Sequence, residues 1–330
     1  MSPNLSMRKK KTKLNAAYTY PMTTSVVIKK GLKRILQGFC IGTANIIPGV
    51  SGGTIALMLG IYEDLIQAIS RLDLNLFKML LNRRWDDAKR YLPWKFLLPL
   101  LLGIGLAVIC LAQFLEWLFD DYPVYVYAFF FGLIMASVPI ILSHIRQLRS
   151  ASILIILITA GGMYALVGLV PAQTPENFIF VFLSGALAIS TMILPGISGS
   201  FVLVLIGKYK FILSAINNRD VWVLLTFAMG CLVGIISFVR LLKWLLARYY
   251  DITMALLTGM VLGSLRKLWP WKAVLILTGN GPTANIATSQ RNVLPDQWSS
   301  EVFLALAIGV IGFSTAWFLA HLDPRPRSHK

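Results

Sequence analysis

Residues 38–69 of this chain read GFCIGTANIIPGVSGGTIALMLGIYEDLIQAI, and residues 185–216 read GALAISTMILPGISGSFVLVLIGKYKFILSAI. The two stretches align without a gap and share ten of 32 positions, including a Pro-Gly-x-Ser-Gly motif that begins at Pro48 and at Pro195. An apolar composition gives chance matches of Leu and Ile, but it does not give a shared motif of this kind. The chain therefore contains an internal repeat, and each motif has a counterpart in the other half.

Each motif interrupts a long apolar run. Its proline has no backbone N–H and disfavours helical geometry at the preceding residue, and its glycines permit positive φ, so a continuous helix is not expected. Non-helical backbone inside a membrane must be buried in protein or line a wet cavity. A helix that restarts after the motif would direct free N–H groups and hydroxyls into that cavity, which favours the binding of phosphate or carboxylate.

The rest of the chain is typical of a membrane protein. It is 57% hydrophobic and 14% charged, with a mean hydropathy of +0.71, and this excludes an ordinary soluble enzyme. Similarity between the halves resumes at residues 96–138 and 223–265, so the first half has an insertion before its aligned block. A short apolar run at 252–265 is expected to span the bilayer with its flanks. The longer runs predicted to span are residues 96–119, 124–143, 152–170, 221–246 and 302–322.

Three strong spans separate the two broken regions. If each region is a re-entrant hairpin that enters and leaves on one side, an odd number of crossings turns the second half upside down. We therefore predict an all-α polytopic membrane protein with two inverted-topology repeats, each a re-entrant broken-helix hairpin followed by transmembrane helices. The predicted parts are a basic N-terminal arm (1–25), repeat 1 (26–177, with hairpin 26–70, basic insertion 71–95 and spanning helices 96–170), repeat 2 (178–322, with hairpin 178–216 and spanning helices 221–322) and a tail (323–330).

The charge distribution predicts the orientation of the chain. Lys and Arg number 31 against 14 Asp and Glu, a net charge of +17. Most basic residues lie in the N-terminal arm, the insertion and the tail, so we expect these on the cytoplasmic side of the inner membrane beside anionic lipids, and not on nucleic acid. Two groups do not fit, because the predicted topology places them outside: the stretch from Lys208 to Arg219, and the cluster Arg266, Lys267 and Lys272. Either the topology is wrong there or these residues are kept outside near the hairpins, where an anion would be met.

The two motif regions, GTANIIPGVSGGTIALMLGIYEDLI (42–66) and ILPGISGSFVLVLIGKYKFILSAI (193–216), resemble the polyprenyl-phosphate transporter family PopT of bacteria and archaea, long catalogued as a domain of unknown function. The resemblance extends over nearly the whole chain. It implies a carrier that returns undecaprenyl phosphate from the outer to the inner leaflet of the cytoplasmic membrane, for reuse in peptidoglycan and surface-polysaccharide synthesis. We also expect this transport to be coupled to an ion or a proton.

A lipid phosphate needs an anion site for its head group and a lateral opening for its tail. The candidate substrate-binding residues are Asn45, Ser51, Gly52, Gly53, Thr54, Thr191, Ser198, Gly199, Ser200, Lys208 and Arg240. The candidate proton carriers are Glu63, Asp64 and Glu116. Plainer interpretations exist for all of them, since small residues promote helix packing, a long basic side chain snorkels to the interface, and carboxylates at helix ends often have no specific role.

Two other functional classes stay open. A secondary transporter or channel for a small anion would use the same broken hairpins. A membrane-embedded lipid phosphatase would also need a phosphate site, but the sequence has no DDxxD, Walker lysine, HExxH or nucleophile paired with His and an acid. We therefore expect a protein that is not an enzyme and needs no metal or cofactor, and a homodimer is the assembly to test.

Overall fold

The computed structural model describes residues 24–47, 49–172, 174–277, 287–295 and 297–321. Within these ranges the chain is mostly helical. The first half contains α1 (Thr24–Ile46), α2 (Gly52–Met58), α3 (Tyr62–Ile69), α4 (Leu74–Leu81), α5 (Trp85–Tyr91), α6 (Trp94–Asp121), α7 (Pro123–Leu142) and α8 (Ser150–Val167). The second half contains α9 (Phe178–Ile193), α10 (Gly199–Leu205), α11 (Tyr209–Asn217), α12 (Val221–Arg248), α13 (Tyr250–Leu268), β1 (Lys272–Leu277), β2 (Ala287–Asn292) and α14 (Ser300–His321).

The long helices are apolar enough to cross a membrane. Among the described residues these are α6, α7, α8, α12 and α14, and α10 with α11, bent by 105°, would add a sixth if the pair is one span. They coincide with the predicted runs, which confirms an all-α polytopic membrane fold. α13 does not belong to this set, and its Ala255, Leu257 and Thr258 have no exposed surface. A helix covered by protein needs fewer apolar residues than one that faces lipid.

Aligned glycines in the two halves have the same backbone geometry. The motif glycines Gly49 and Gly196 have φ angles of 92° and 84°. Gly60 and Gly207, which also align, have φ angles of 65° and 68° and mark a second bend in each hairpin. That second bend was not predicted from the sequence, although both glycines are among the identical positions. The left-handed φ at all four sites is a conformation that glycine adopts without strain.

The aromatic residues at the ends of α6 and α12 repeat as well. The rings of Trp117 and Tyr122 are 5.7 Å apart and edge-on, and those of the aligned Trp244 and Tyr249 are 5.6 Å apart in the same arrangement. The repeat is therefore visible in side-chain packing as well as in the backbone. The opposite orientation of the halves in a membrane stays a prediction.

The two halves pack in equivalent pairs and also exchange helices. α1 packs on α6 and α9 on α12, each within its own half, whereas α7 packs on α14 and its counterpart α13 packs on α8. Gly132 of α7 lies against the backbone of Gly309, and the aligned Gly259 of α13 lies against the backbone of Ile156. Neither glycine has room for a Cβ, so both crossings bring the helix backbones into contact. The halves are consequently intertwined.

Some parts of the fold were not predicted. The basic insertion folds into α4 and α5, and Asp73 caps α4 by accepting the backbone N–H of Leu76 at 3.0 Å. β1 and β2 pair antiparallel, with Lys272 opposite Asn292. Pro48, most of the predicted basic arm and the predicted tail lie outside the described residues.

Candidate functional site

The two motifs contact each other directly. The Ser51 hydroxyl donates a hydrogen bond of 2.9 Å to the carbonyl of Leu194, which directly precedes the second motif. The backbone N–H of Gly196 donates one of 2.9 Å to the hydroxyl of Thr54, two residues after the first motif. The side chains of Ser51 and Thr54 are buried. Polar groups buried in this way must find partners within the protein, and here each motif supplies partners for the other.

A tyrosine adds a third bond between the motif regions. The Tyr62 hydroxyl donates to the carbonyl of Ile193 at 3.2 Å, and the Tyr62 side chain is only 1% exposed. We call the bonds Ser51–Leu194, Thr54–Gly196 and Tyr62–Ile193 the clasp. Its side-chain groups all come from the first half, and its backbone groups all come from the second.

The predicted anion donors of the first motif are already occupied. Asn45 Oδ1 accepts the N–H of Gly52 at 3.0 Å, and Ser51 Oγ accepts the N–H of Gly53 at 3.2 Å. Helix α2, which these groups cap, has seven residues. The carbonyl of Ile193 lies where a Cβ of Gly53 would be, so this glycine permits close approach of the second motif. In this conformation the first motif holds the protein together and offers no free amide at Gly52 or Gly53 to a ligand.

The second motif is in a different state. The hydroxyls of Ser198 and Ser200 lie 2.7 Å apart and bond to each other, and Ser200 is exposed. Gly199 begins α10 without a side-chain cap. Thr191 donates to the carbonyl of Leu187 in its own helix at 2.9 Å. The two serine hydroxyls are therefore the polar groups of this motif that a ligand can reach.

The difference between the motifs extends to their tyrosines. Tyr209 aligns with Tyr62, but it is 43% exposed and makes no clasp bond. Ser198 likewise aligns with Ser51 and does not reach the opposite motif. Residues that are equivalent in sequence thus occupy two environments, one closed and one open.

Two lysines lie beside the motifs. A Cβ at Gly49 would be 2.7 Å from Cγ of Lys267, at the end of α13, and the Lys267 ammonium lies 5.2 Å from the centre of the Phe201 ring of α10. Lys272, in β1, donates from Nζ to the carbonyl of Lys267 at 2.7 Å and lies 4.0 Å from the centre of the Tyr127 ring. The side chain of Lys267 therefore contacts residues of both hairpins.

Neither ammonium forms an ion pair with a carboxylate of the described residues. Burial, and after it the neighbouring charge of Lys267, lowers the pKa of Lys272 to about 8. Two partly buried cations that pair with no described carboxylate make a favourable place for an anion. These lysines are not among the candidate substrate-binding residues named from the sequence, although they belong to the basic residues expected to lie outside, near the hairpins, where an anion would be met. The clasp residue Tyr62 was also missed, although it is identical in both copies of the repeat.

Residues 41–285 match the VCA0040-like family, described as undecaprenyl phosphate translocase-like. The chain belongs to this translocase-like family. A polyprenyl-phosphate transporter of Vibrio cholerae is 39% identical to it over 269 residues, which cover 82% of this chain and 87% of the relative. A polyprenyl-phosphate transporter of Staphylococcus aureus is 32% identical over 256 residues, covering 72% of this chain and 85% of the relative. No solved structure matches the chain.

The structure does not bring every predicted site residue of this translocase-like protein to the motifs. Arg240 is exposed on α12, and its guanidinium has no hydrogen bond or ion pair with a described residue. Lys208 is only 1% exposed, and its ammonium donates to the carbonyl of Thr174 at 2.6 Å. Lys208 thus joins the start of α11 to the segment before α9.

Two of the three candidate acids lie close to the clasp in sequence. Glu63 and Asp64 are in the first turn of α3, the helix that begins with the clasp tyrosine. Glu63 accepts a hydrogen bond of 3.0 Å from the hydroxyl of Tyr250, and Asp64 forms an ion pair of 3.2 Å with Arg34. Glu116 is exposed on α6 and has no hydrogen bond or ion pair with a described residue.

Proposed function

We propose that this protein transports undecaprenyl phosphate between the leaflets of the cytoplasmic membrane, from the outer to the inner leaflet, so that the lipid can be reused in cell-wall and surface-polysaccharide synthesis. The observation that carries the proposal is the clasp, in which two copies of one motif meet with one closed and one open. Family membership and the two relatives that are named polyprenyl-phosphate transporters support the substrate.

Exchange of two clasp bonds between the halves provides a transport mechanism. The Thr54–Gly196 bond has no counterpart, because Thr54 aligns with Phe201. In the exchanged state, Tyr209 would donate to the carbonyl of Ile46, and Ser198 would donate to the carbonyl of Ile47, because these residues align with the present clasp residues. Ser51 would then be released. A protein built from two inverted repeats can alternate its access in this way, because the two states exchange the conformations of the repeats.

The predicted topology assigns each part of the site to one side of the membrane. Lys267 and Lys272 would lie on the outer side, next to the open second motif, so this conformation would receive a head group from the outer leaflet. Tyr62 would close the path to the cytoplasm. The basic insertion would lie on the cytoplasmic side, where anionic lipids attract it. A homodimer is the assembly we would test by cross-linking in membranes.

A carrier fits the site better than a phosphatase does. A serine nucleophile needs an adjacent base, commonly a histidine or an acid. Within the described residues, no carboxylate or imidazole forms a hydrogen bond with Ser51, Ser198 or Ser200. The described residues thus give these hydroxyls no hydrogen-bonded base, which supports a carrier over a phosphatase.

Proton coupling would act through α3. Movement of Tyr62 out of the clasp would move Glu63 and Asp64 with it, because all three residues belong to the same turn. Release of Glu63 from Tyr250, or of Asp64 from Arg34, would make a carboxylate available to a proton. Glu116 has no such connection to the clasp.

Transport by the purified protein in liposomes tests the proposal. Labelled undecaprenyl phosphate is followed in each leaflet, with and without an imposed pH gradient, and we expect exchange that depends on the protein and is faster with the gradient. Competition by excess inorganic phosphate that stops lipid transport would favour the small-anion alternative. Release of inorganic phosphate from the lipid would favour the phosphatase. Failure to move the lipid would contradict the proposed function.

A further inference from the structure

The ammonium groups of Lys267 and Lys272 have unused hydrogen-bond donors. Each ammonium carries three donors. Lys272 uses one of them on the carbonyl of Lys267, and Lys267 makes no side-chain hydrogen bond with a described residue. The aromatic rings of Phe201 and Tyr127 lie next to the two charges, where they stabilise a cation without neutralising it. The free donors therefore remain available to an anion.

The neighbouring residue Arg266 has a structural role, unlike the two lysines. Arg266 precedes Lys267 in α13, but its guanidinium lies 4.4 Å from the centre of the Tyr164 ring and donates to the Tyr164 carbonyl at 2.8 Å. It lines a cavity of about 360 Å³ together with Trp269, and neither lysine lines that cavity. In the cluster Arg266, Lys267 and Lys272, the arginine is engaged in helix packing, whereas each lysine ammonium keeps unused donors.

α13 places the lysines within reach of both motifs. Gly196 of the second motif lies against the carbonyl of Met260, and Gly49 of the first lies against Lys267. Seven residues of α-helix separate these two contacts, a distance of about 10 Å along the axis. The Lys267 ammonium also lies beside the ring of Phe201, the residue that follows Ser200 of the second motif region.

We propose that Lys267 and Lys272 form a capture site for a phosphate monoester, which binds the head group before it reaches the motif hydroxyls. This inference rests on the proposed function, since the ligand there is a lipid phosphate. The anion would offset the cost of holding two like charges in a partly buried place. The lowered pKa of Lys272 is in keeping with that cost. A capture site would explain why these basic residues lie on the outer side of the membrane, where loops usually contain few Lys and Arg.

Binding to the full-length protein in nanodiscs tests the site, with farnesyl phosphate as the lipid probe and inorganic phosphate as the free anion. We expect Lys267→Gln and Lys272→Gln each to weaken farnesyl phosphate binding about tenfold, the loss of one charge-assisted contact. Lys267→Arg and Lys272→Arg should keep most of the affinity. Arg291→Gln is the matched control, because Arg291 is an exposed cation of β2, one residue from the partner of Lys272.

The binding results distinguish failure of the capture site from failure of the lipid-transport proposal. Wild-type affinity in both glutamine variants, or an equal loss in Arg291→Gln, would overturn the capture site, since the second result would indicate a general effect of charge. Thermal unfolding and the two arginine variants identify any loss that is due to misfolding. If the wild type binds inorganic phosphate through these lysines but binds no farnesyl phosphate, the capture site stands and the lipid-transport proposal fails.

Discussion

Removing the clasp should shift the protein toward the exchanged state. In Tyr62→Phe the hydroxyl that bonds to Ile193 is lost, and in Thr54→Val the acceptor of the buried Gly196 N–H is lost, while both side chains nearly keep their shape. A hydrogen bond between neutral groups contributes about 1 kcal/mol net. The double variant therefore loses about 2 kcal/mol in the clasped state, which corresponds to a shift of about 30-fold in the equilibrium between the states.

Cysteine labelling measures this shift. Ser200 is exposed in the clasped state, whereas its aligned counterpart Gly53 is buried, so a cysteine at Ser200 should become protected in the exchanged state. The native residues Cys40, Cys110 and Cys231 are first replaced by serine or alanine. Labelling of Ser200→Cys by a maleimide should then be slower in the Tyr62→Phe/Thr54→Val background than in the parent.

A buried threonine outside the clasp provides the control. Thr258 has no exposed surface, and its hydroxyl donates to the Met254 carbonyl within α13. Thr258→Val should leave the labelling rate unchanged. Equal labelling in the clasp variants and the parent would refute the exchange of clasp contacts, and faster labelling would refute it too, because it would mean that the clasp had only loosened.

Two more predictions concern the turn of the second motif and the charge of the capture site. Gly196→Ala should lower the free energy of unfolding by about 2–4 kcal/mol, because the φ of 84° disfavours a side chain and the Met260 carbonyl lies 2.8 Å from the new Cβ. The thermal midpoint in detergent checks this, with Gly161→Ala as the control, since nothing lies within 4 Å of a Cβ there. Farnesyl phosphate affinity should fall about tenfold between about pH 7 and pH 9, because Lys272, which faces Lys267 and Tyr127, loses its proton above its pKa of about 8. Lys272→Arg should remove that dependence, and an equal fall in this variant would assign the titration to another group.

Much of the fold could be predicted because it follows from the length of apolar runs. The predicted span at residues 96–119 corresponds to the helix Trp94–Asp121, and 221–246 corresponds to Val221–Arg248. A bilayer requires about 20 apolar residues for each crossing helix, so composition and length suffice for such elements. The strands β1 and β2 and the helices of the insertion were missed because they follow no rule of this kind.

The candidate substrate site stays a prediction, and the structure shows how its residues are placed. The repeated motif regions contact each other, and Ser51 and Thr54 are in the clasp. Their role as free anion donors does not hold in this conformation, since the protein's own groups occupy them. Arg240 was chosen because a charge deep in an apolar run is costly, but its exposed position on α12 does not join it to the motifs. Spacing along a chain does not give the direction in which a side chain points.

The sequence established that the chain crosses a membrane, that it contains a repeat, and that each half has a broken helix at the same motif. Those properties follow from local chemistry: apolar side chains partition into lipid, and Pro and Gly interrupt helices. Tertiary structure decided that the first motif is closed and the second open, that α7 and α13 pack on helices of the opposite halves, and that Lys267 lies between the hairpins. The shared Pro-Gly-x-Ser-Gly motif does not reveal which copy is closed, because that depends on the contacts each copy makes in the folded protein.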